Sequence, residues 1–146
     1  MKNIFIILLY STILFGVGIQ DWKLLLVIPF SLSLSYFNFK AIELNGINQK
    51  FHNIQVIVLY ALLGLLFALK VVKLDELFLI ISMHYVTFET SLNAFRKLPL
   101  NYIGKTAKID RWIRKVTKTE AMLNQVSSLS KFILLFIGIA IYLTGK

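Results

Sequence analysis

The chain has 146 residues, of which 58% are apolar and 16% charged, with 16 Lys and Arg against seven Asp and Glu for a net charge of +9. Its mean hydropathy of +0.75 is far above that of a water-soluble domain of this length and implies a bilayer. The absence of Cys excludes disulfides, thiolate metal sites and a catalytic thiol.

Taken in chain order, the apolar runs predict an all-α, polytopic transmembrane helix bundle of about five spans, with four as the alternative. Residues 4–19 (IFIILLYSTILFGVGI) form the first run. A Lys near its start suits a signal peptide, but no small-x-small cleavage site followed by a soluble domain is present, so a retained span is expected. A polar turn at Asp21 and Lys23 leads into a second span, residues 22–39, whose apolar core is short for the roughly 20 residues a crossing needs. Trp22 and Phe39 are expected to anchor its ends at the interfaces, and Pro29 is placed to kink it.

Glu43 and His52 are expected in a loop around an Asn45–Gly46 turn, followed by a third span, residues 54–72, and a fourth, 74–95, joined at Lys73 to Glu76. Ser31 with Ser35, and Gly64 with Ala68, are small-xxx-small pairs of the kind that let membrane helices approach closely. The fourth span carries the ionisable groups expected inside the hydrocarbon, Glu89 and His84. At about 100° per residue, Ser82, Tyr85, Glu89, Asn93 and Arg96 share one polar stripe that should face protein or water. Glu89 lies roughly 10 Å along the axis from Arg96, in the inner part of the bilayer, with Asn93 and Tyr85 one turn to either side as local partners. A membrane carboxylate is a functional candidate by default, for a proton or a cation, and a buried polar clamp is the bland alternative. His84 points about 140° away from Glu89 and belongs to a different face.

Residues 96–118 form a basic loop with eight Lys and Arg. Basic residues of short loops accumulate on the cytoplasmic side, so this loop is inside. With five spans Lys2, Lys40, Lys50 and Lys131 fall on the same side, giving 12 basic residues inside against four outside. The N-terminus is then cytoplasmic, and the C-terminus outside. Within the loop, Ile109, Trp112, Ile113 and Val116 recur at helical spacing, with Lys108, Arg111, Lys115 and Lys118 opposite. A basic amphipathic helix of this kind suits the membrane interface and anionic headgroups, or serves only as a topology anchor. Gly104, Lys105 and Thr106 spell the end of a phosphate loop, but position 99 is Pro where that motif needs Gly. Nucleic acid is not expected, because the apolar stripe gains nothing from it. Asp110 can pair with Arg114 at i+4. Thr117 and Glu120 have capping-box spacing, so a helix should start there and run into the last span, residues 126–143.

The stretch FETSLNAFRKLPLNYIGKTAKIDRWIRK, residues 88–115, resembles small, uncharacterised multi-pass membrane proteins of Bacteroidetes bacteria and their phages. The matching positions are Glu89, Asn93, Pro99, Gly104, Lys105 and Asp110. The resemblance implies a source and a fold but no reaction. Glu89 near Asn93 is also faintly similar to bacterial diacylglycerol kinase, whose other carboxylates and nucleotide contacts have no counterpart here.

No Glu-x-x-His or His-x-x-x-His spacing occurs, so neither a metal nor any other cofactor is expected. The functional expectation is a non-enzymatic, inner-membrane protein that self-associates as a holin-like, channel-like or exclusion factor. The alternatives are an accessory subunit of a larger membrane complex and a lipid-headgroup enzyme using Asn93 to Arg114, with Asp110 as base or metal ligand. Expected partners are anionic lipid headgroups and either a second copy or a membrane partner.

Overall fold

The computed structural model describes residues 22–46, 49–103, 108–117 and 119–145. Five helices account for nearly all of them: α1 (Trp22–Asn45), α2 (Gln49–Ala68), α3 (Leu74–Phe95), α4 (Lys108–Val116) and α5 (Glu120–Thr144). The first expected span, residues 4–19, lies outside the described residues.

Local signals account for most helix ends, and several differ from expectation. Helix α1 continues past Phe39 to Asn45, placing Glu43 inside it, and stops where Gly46 adopts φ 71° and donates its N–H to Ile42 at 2.9 Å. His52 likewise lies within helix α2 rather than in a loop. Pro29 sits inside continuous α1, where its ring denies the Leu25 carbonyl the usual helical donor.

Helix α2 stops at Ala68, four residues before the apolar run does. Lys70 takes a left-handed φ of 57°, so Val71 can donate to Leu66 at 3.0 Å and Lys70 to Phe67 at 2.9 Å. Helix α3 ends in the same way: Lys97 has φ 56°, Leu98 donates to Asn93 at 2.9 Å and Lys97 to Ala94 at 3.0 Å. Both are Schellman closures with Lys where Gly is usual; the helix C-terminal dipole favours the positive charge.

Helix α3 begins as expected, with Glu76 accepting the Lys73 backbone N–H at 2.8 Å. The cap of α5 is two residues later than the Thr117–Glu120 spacing suggested. Thr119 accepts from the Met122 N–H at 3.2 Å, while Thr117 turns back to the Ile113 carbonyl at 2.9 Å. Consequently α5 starts at Glu120, six residues before the expected span.

Helix α3 is the centre of the bundle, with α1 along one side and α5 along the other. Contacts advance together along α1 and α3, from Ser31 with His84 to Ser35 with Ser91 and Phe39 with Phe95, so these helices run parallel. Along α5 they run oppositely: Asp75 meets Gly145 and, seven residues on, Ser82 meets Gly138. Among the described residues, α2 meets the core through Leu59, Leu63 and Leu66.

The distribution of polarity is inverted relative to a soluble fold. The inward stripe of α1 is Leu24, Val27, Ser31, Ser35 and Asn38, all buried, whereas Leu26, Phe30, Leu32, Tyr36 and Phe37 are exposed. Helix α5 buries Ser127, Lys131 and Gly138 alongside Leu123, Leu135 and Tyr142, while Phe132, Ile133, Phe136 and Ile137 face outward. Water-soluble proteins do not leave apolar surface of this extent uncovered.

Among the described residues two helices are long and apolar enough to cross a membrane, Leu24–Leu44 and Glu120–Thr144, with 22% and 28% of their apolar windows buried, unlike the mostly buried core helix of a soluble domain. Against the expected five spans, Ile54–Ala68 in α2 forms a shorter apolar stretch, and α3 is interrupted by Ser82, His84, Glu89, Ser91 and Asn93.

Candidate functional site

The polar residues of α3 divide between two seams. On the α1 side, Ser31 lies 2.8 Å from Nδ1 of His84. Ser31 Oγ also lies 2.6 Å from the Val27 carbonyl, and its single proton serves one of these two acceptors. The imidazole neighbours the rings of Phe30 and Phe88, with centroids 6.1 and 5.6 Å away. One turn further, Ser35 and Ser91 approach to 2.6 Å. Ser31 is fully buried, so the Ser–His pair joins two helices and offers no accessible nucleophile. The expected use of Ser31 and Ser35 for close helix approach is realised here, whereas Gly64 and Ala68 are exposed and nothing lies within 4 Å of a Cβ built at Gly64.

On the α5 side, Ser82 is buried, donates to the Phe78 carbonyl at 2.8 Å and lies against Gly138. A Cβ at position 138 would come within 2.6 Å of Ser82 Oγ and 3.0 Å of its Cβ, so the glycine permits the approach of the two helices. Seven residues along each helix from this contact stand Glu89 of α3 and Lys131 of α5.

Lys131, counted with the inner side from the sequence, lies within α5. Its side chain is buried in α5 and Nζ donates to the Leu100 carbonyl at 3.0 Å. Asn93 shares that carbonyl at 3.3 Å and reaches the Tyr102 carbonyl at 3.0 Å. Asn101 crosses to α5, donating to the Asn124 carbonyl at 3.1 Å and to Ser128 Oγ at 3.3 Å. The segment after α3 therefore folds back as a cap over the α3–α5 seam, with Leu100 buried beneath it.

Of the expected polar stripe, Ser82 meets α5, Asn93 meets the cap, and Glu89 is half-buried on the same face. Tyr85 is exposed, and Arg96 is half-buried at the end of α3, its backbone N–H bonded to Leu92 at 3.1 Å. Asn93, expected as a partner of Glu89, spends its amide on backbone carbonyls. What the sequence reading missed is Lys131 with Asn101. A signal existed: Leu123, Ser127, Lys131, Leu135, Gly138 and Tyr142 recur at steps of four and three, placing Lys131 on the stripe that holds the small residues of α5.

The basic segment does form a helix, the nine residues of α4. Arg111, Trp112, Lys115 and Val116 are exposed and Ile113 is half-buried; the side chains of Lys108 and Asp110, and residues Gly104, Lys105 and Lys118, lie outside the described residues. Arg114 is tied inward, with Nη2 2.5 Å from the Ile103 carbonyl, Nη1 2.7 Å from Glu120 and the guanidinium 5.6 Å from the centre of the Tyr102 ring.

Among the described residues no three His, Asp or Glu side chains gather as a metal site. The two seams hold helices together, and the α5 seam buries the Lys131 ammonium beside the helix face of the half-buried Glu89. Comparison with known proteins finds no matching family model, curated protein or solved structure.

Proposed function

We propose that the chain is a small integral protein of the cytoplasmic membrane, related in source to Bacteroidetes and their phages, that acts without catalysis by self-association in the bilayer, as a holin-like, channel-like or exclusion factor. The carrying observation is α2. Ala61, Gly64 and Ala68 make a flat strip on its open face, flanked by the exposed Ile57, Tyr60 and Leu65. In lipid, apolar surface alone does not drive helices together, but small residues that let backbones approach do. A strip that none of the described residues covers is suited to another helix.

The proposed topology has five spans with the N-terminus inside. Parallel α1 and α3, with α5 antiparallel to them, put the C-terminal ends of α1 and α3 and the start of α5 at one end of the bundle. The segment of sequence that joins α3 to α5 at that end carries eight basic residues, as a cytoplasmic connection would.

The test is dye release from liposomes together with particle size in mild detergent, for wild type and Gly64→Leu. Self-association predicts higher oligomers and leakage from the wild type, both reduced by the bulky side chain of the variant. A wild-type monomer in intact liposomes overturns the reading and favours an accessory subunit, for which the same α2 strip would take a partner's helix.

A further inference from the structure

Arg114 divides α4 into an inward and an outward side. Its guanidinium is spent on the Ile103 carbonyl, the Tyr102 ring and Glu120 at the start of α5, and its side chain is only 18% exposed. Tyr102 is in turn held through its carbonyl by Asn93 of α3. The helix is therefore fastened by one residue to both the cap and the first turn of α5. At about 100° per residue the exposed residues on the other side follow in the order Arg111, Lys115, Trp112, Val116, a continuous arc with a basic edge and an apolar edge. Trp112 is 65% exposed and Val116 58%, so none of the described residues covers the apolar edge.

We propose that this arc is a preformed docking face for the anionic lipid headgroups of the leaflet next to the cap, aimed by Arg114 before lipid is engaged. The proposal rests on the membrane reading above. Charge complementarity selects the partner: Arg111 and Lys115 stand exposed on the arc, and the chain carries +9 overall. Trp and an aliphatic beside them fit the boundary between headgroups and acyl chains, where an amphipathic ring is favoured. Nucleic acid would satisfy the basic edge and leave Trp112 and Val116 in water. Arg114 acts as a positioning residue, because its own charge is already paired.

The probe is Trp112 as the sole tryptophan in a Trp22→Phe background, in vesicles of neutral phosphatidylcholine with or without phosphatidylglycerol. In anionic vesicles Trp112 should be quenched by bromine-labelled lipid and shielded from aqueous acrylamide. Arg111→Gln and Lys115→Gln should each lower the docked-to-free ratio about fivefold, as one near-surface charge is expected to do. Arg114→Gln keeps both contact charges, yet should return Trp112 to water in part and raise its mobility. Equal acrylamide access in both vesicle types overturns the docking face, and an Arg114→Gln variant identical to wild type overturns the aiming role. Alkaline carbonate extraction is run alongside. A protein removed from the bilayer refutes the membrane reading itself, whereas a retained protein with Trp112 in water refutes only the docking.

Discussion

The Lys131 ammonium, buried in α5, donates a 3.0 Å hydrogen bond to the carbonyl of Leu100, thirty-one residues earlier in the chain. That bond ties α5 to the cap. Lys131→Met removes a charged hydrogen bond and leaves the Leu100 carbonyl with Asn93 as its side-chain donor, at a cost of about 1.5–3 kcal/mol, and should lower the unfolding midpoint in detergent. Circular dichroism during thermal unfolding checks it, and an unchanged midpoint would contradict the bond.

The contact of Gly138 with Ser82 makes a second prediction. Gly138→Ala places a Cβ within 3.0 Å of the Ser82 Cβ, which rotation of the hydroxyl cannot relieve. Overpacking of this kind costs about 1–3 kcal/mol. Ser82→Gly in the same chain removes the obstructing atoms and should recover part of the loss. Resistance to unfolding by sodium dodecyl sulfate gives the readout, and an unchanged Gly138→Ala protein would contradict this close approach.

Asn93 holds the cap through two carbonyls, those of Leu100 and Tyr102. Asn93→Leu takes the side-chain donor from the Tyr102 carbonyl, while Leu100 keeps the bond from Lys131, at a cost of about 1–3 kcal/mol, and should loosen residues 96–103 before the helices themselves unfold. Lys97 is exposed there. Trypsin should cut the variant after Arg96 or Lys97 several-fold faster than the wild type, with cleavage sites identified by mass spectrometry.

Two lysines occupy left-handed positions, Lys70 at φ 57° and Lys97 at φ 56°. Glycine takes that conformation without a Cβ penalty. Lys97→Gly removes a left-handed penalty of about 1–2 kcal/mol and gives up a dipole interaction of about 0.3–1 kcal/mol, so the unfolding midpoint should rise by a net equivalent of about 0.5–1 kcal/mol. Gly138→Ala and Lys97→Gly thus move stability in opposite directions, which a single thermal series can show.

Across the α1 side, the Ser31–His84 bond offers a smaller effect. Hydrogen bonds between membrane helices are worth about 0.6 kcal/mol on average. Ser31→Ala and His84→Phe, measured singly and together, should show a coupling of that order in a double-mutant cycle. Strict additivity would mean that the 2.8 Å contact carries no energy.

Much of the helical organisation could be read from the sequence because an apolar run has few ways to satisfy its backbone. In lipid only a helix or a closed barrel does so, and runs near 74–95 and 126–143 were located for that reason. The Glu89–Asn93 stripe followed from the period alone, as did separation of His84 from Glu89. Helix ends were less legible. The left-handed closure at Lys70 and the cap at Thr119 depend on hydrogen bonds to neighbouring turns, and the residue types at those positions do not advertise them.

Composition, charge and helical period by themselves determined that this chain makes long apolar helices with a basic segment before the last of them. Only the tertiary structure decided that α3 stands between α1 and α5, that α1 runs parallel to it, and that Lys131 faces inward to the cap. The physical reason is that helices apolar on nearly every face have no single hydrophobic side to declare their neighbours. Their partners are selected by a few small and polar residues, Ser31, Ser82, Asn93, Lys131 and Gly138, whose meaning appears only when two helices bring them together.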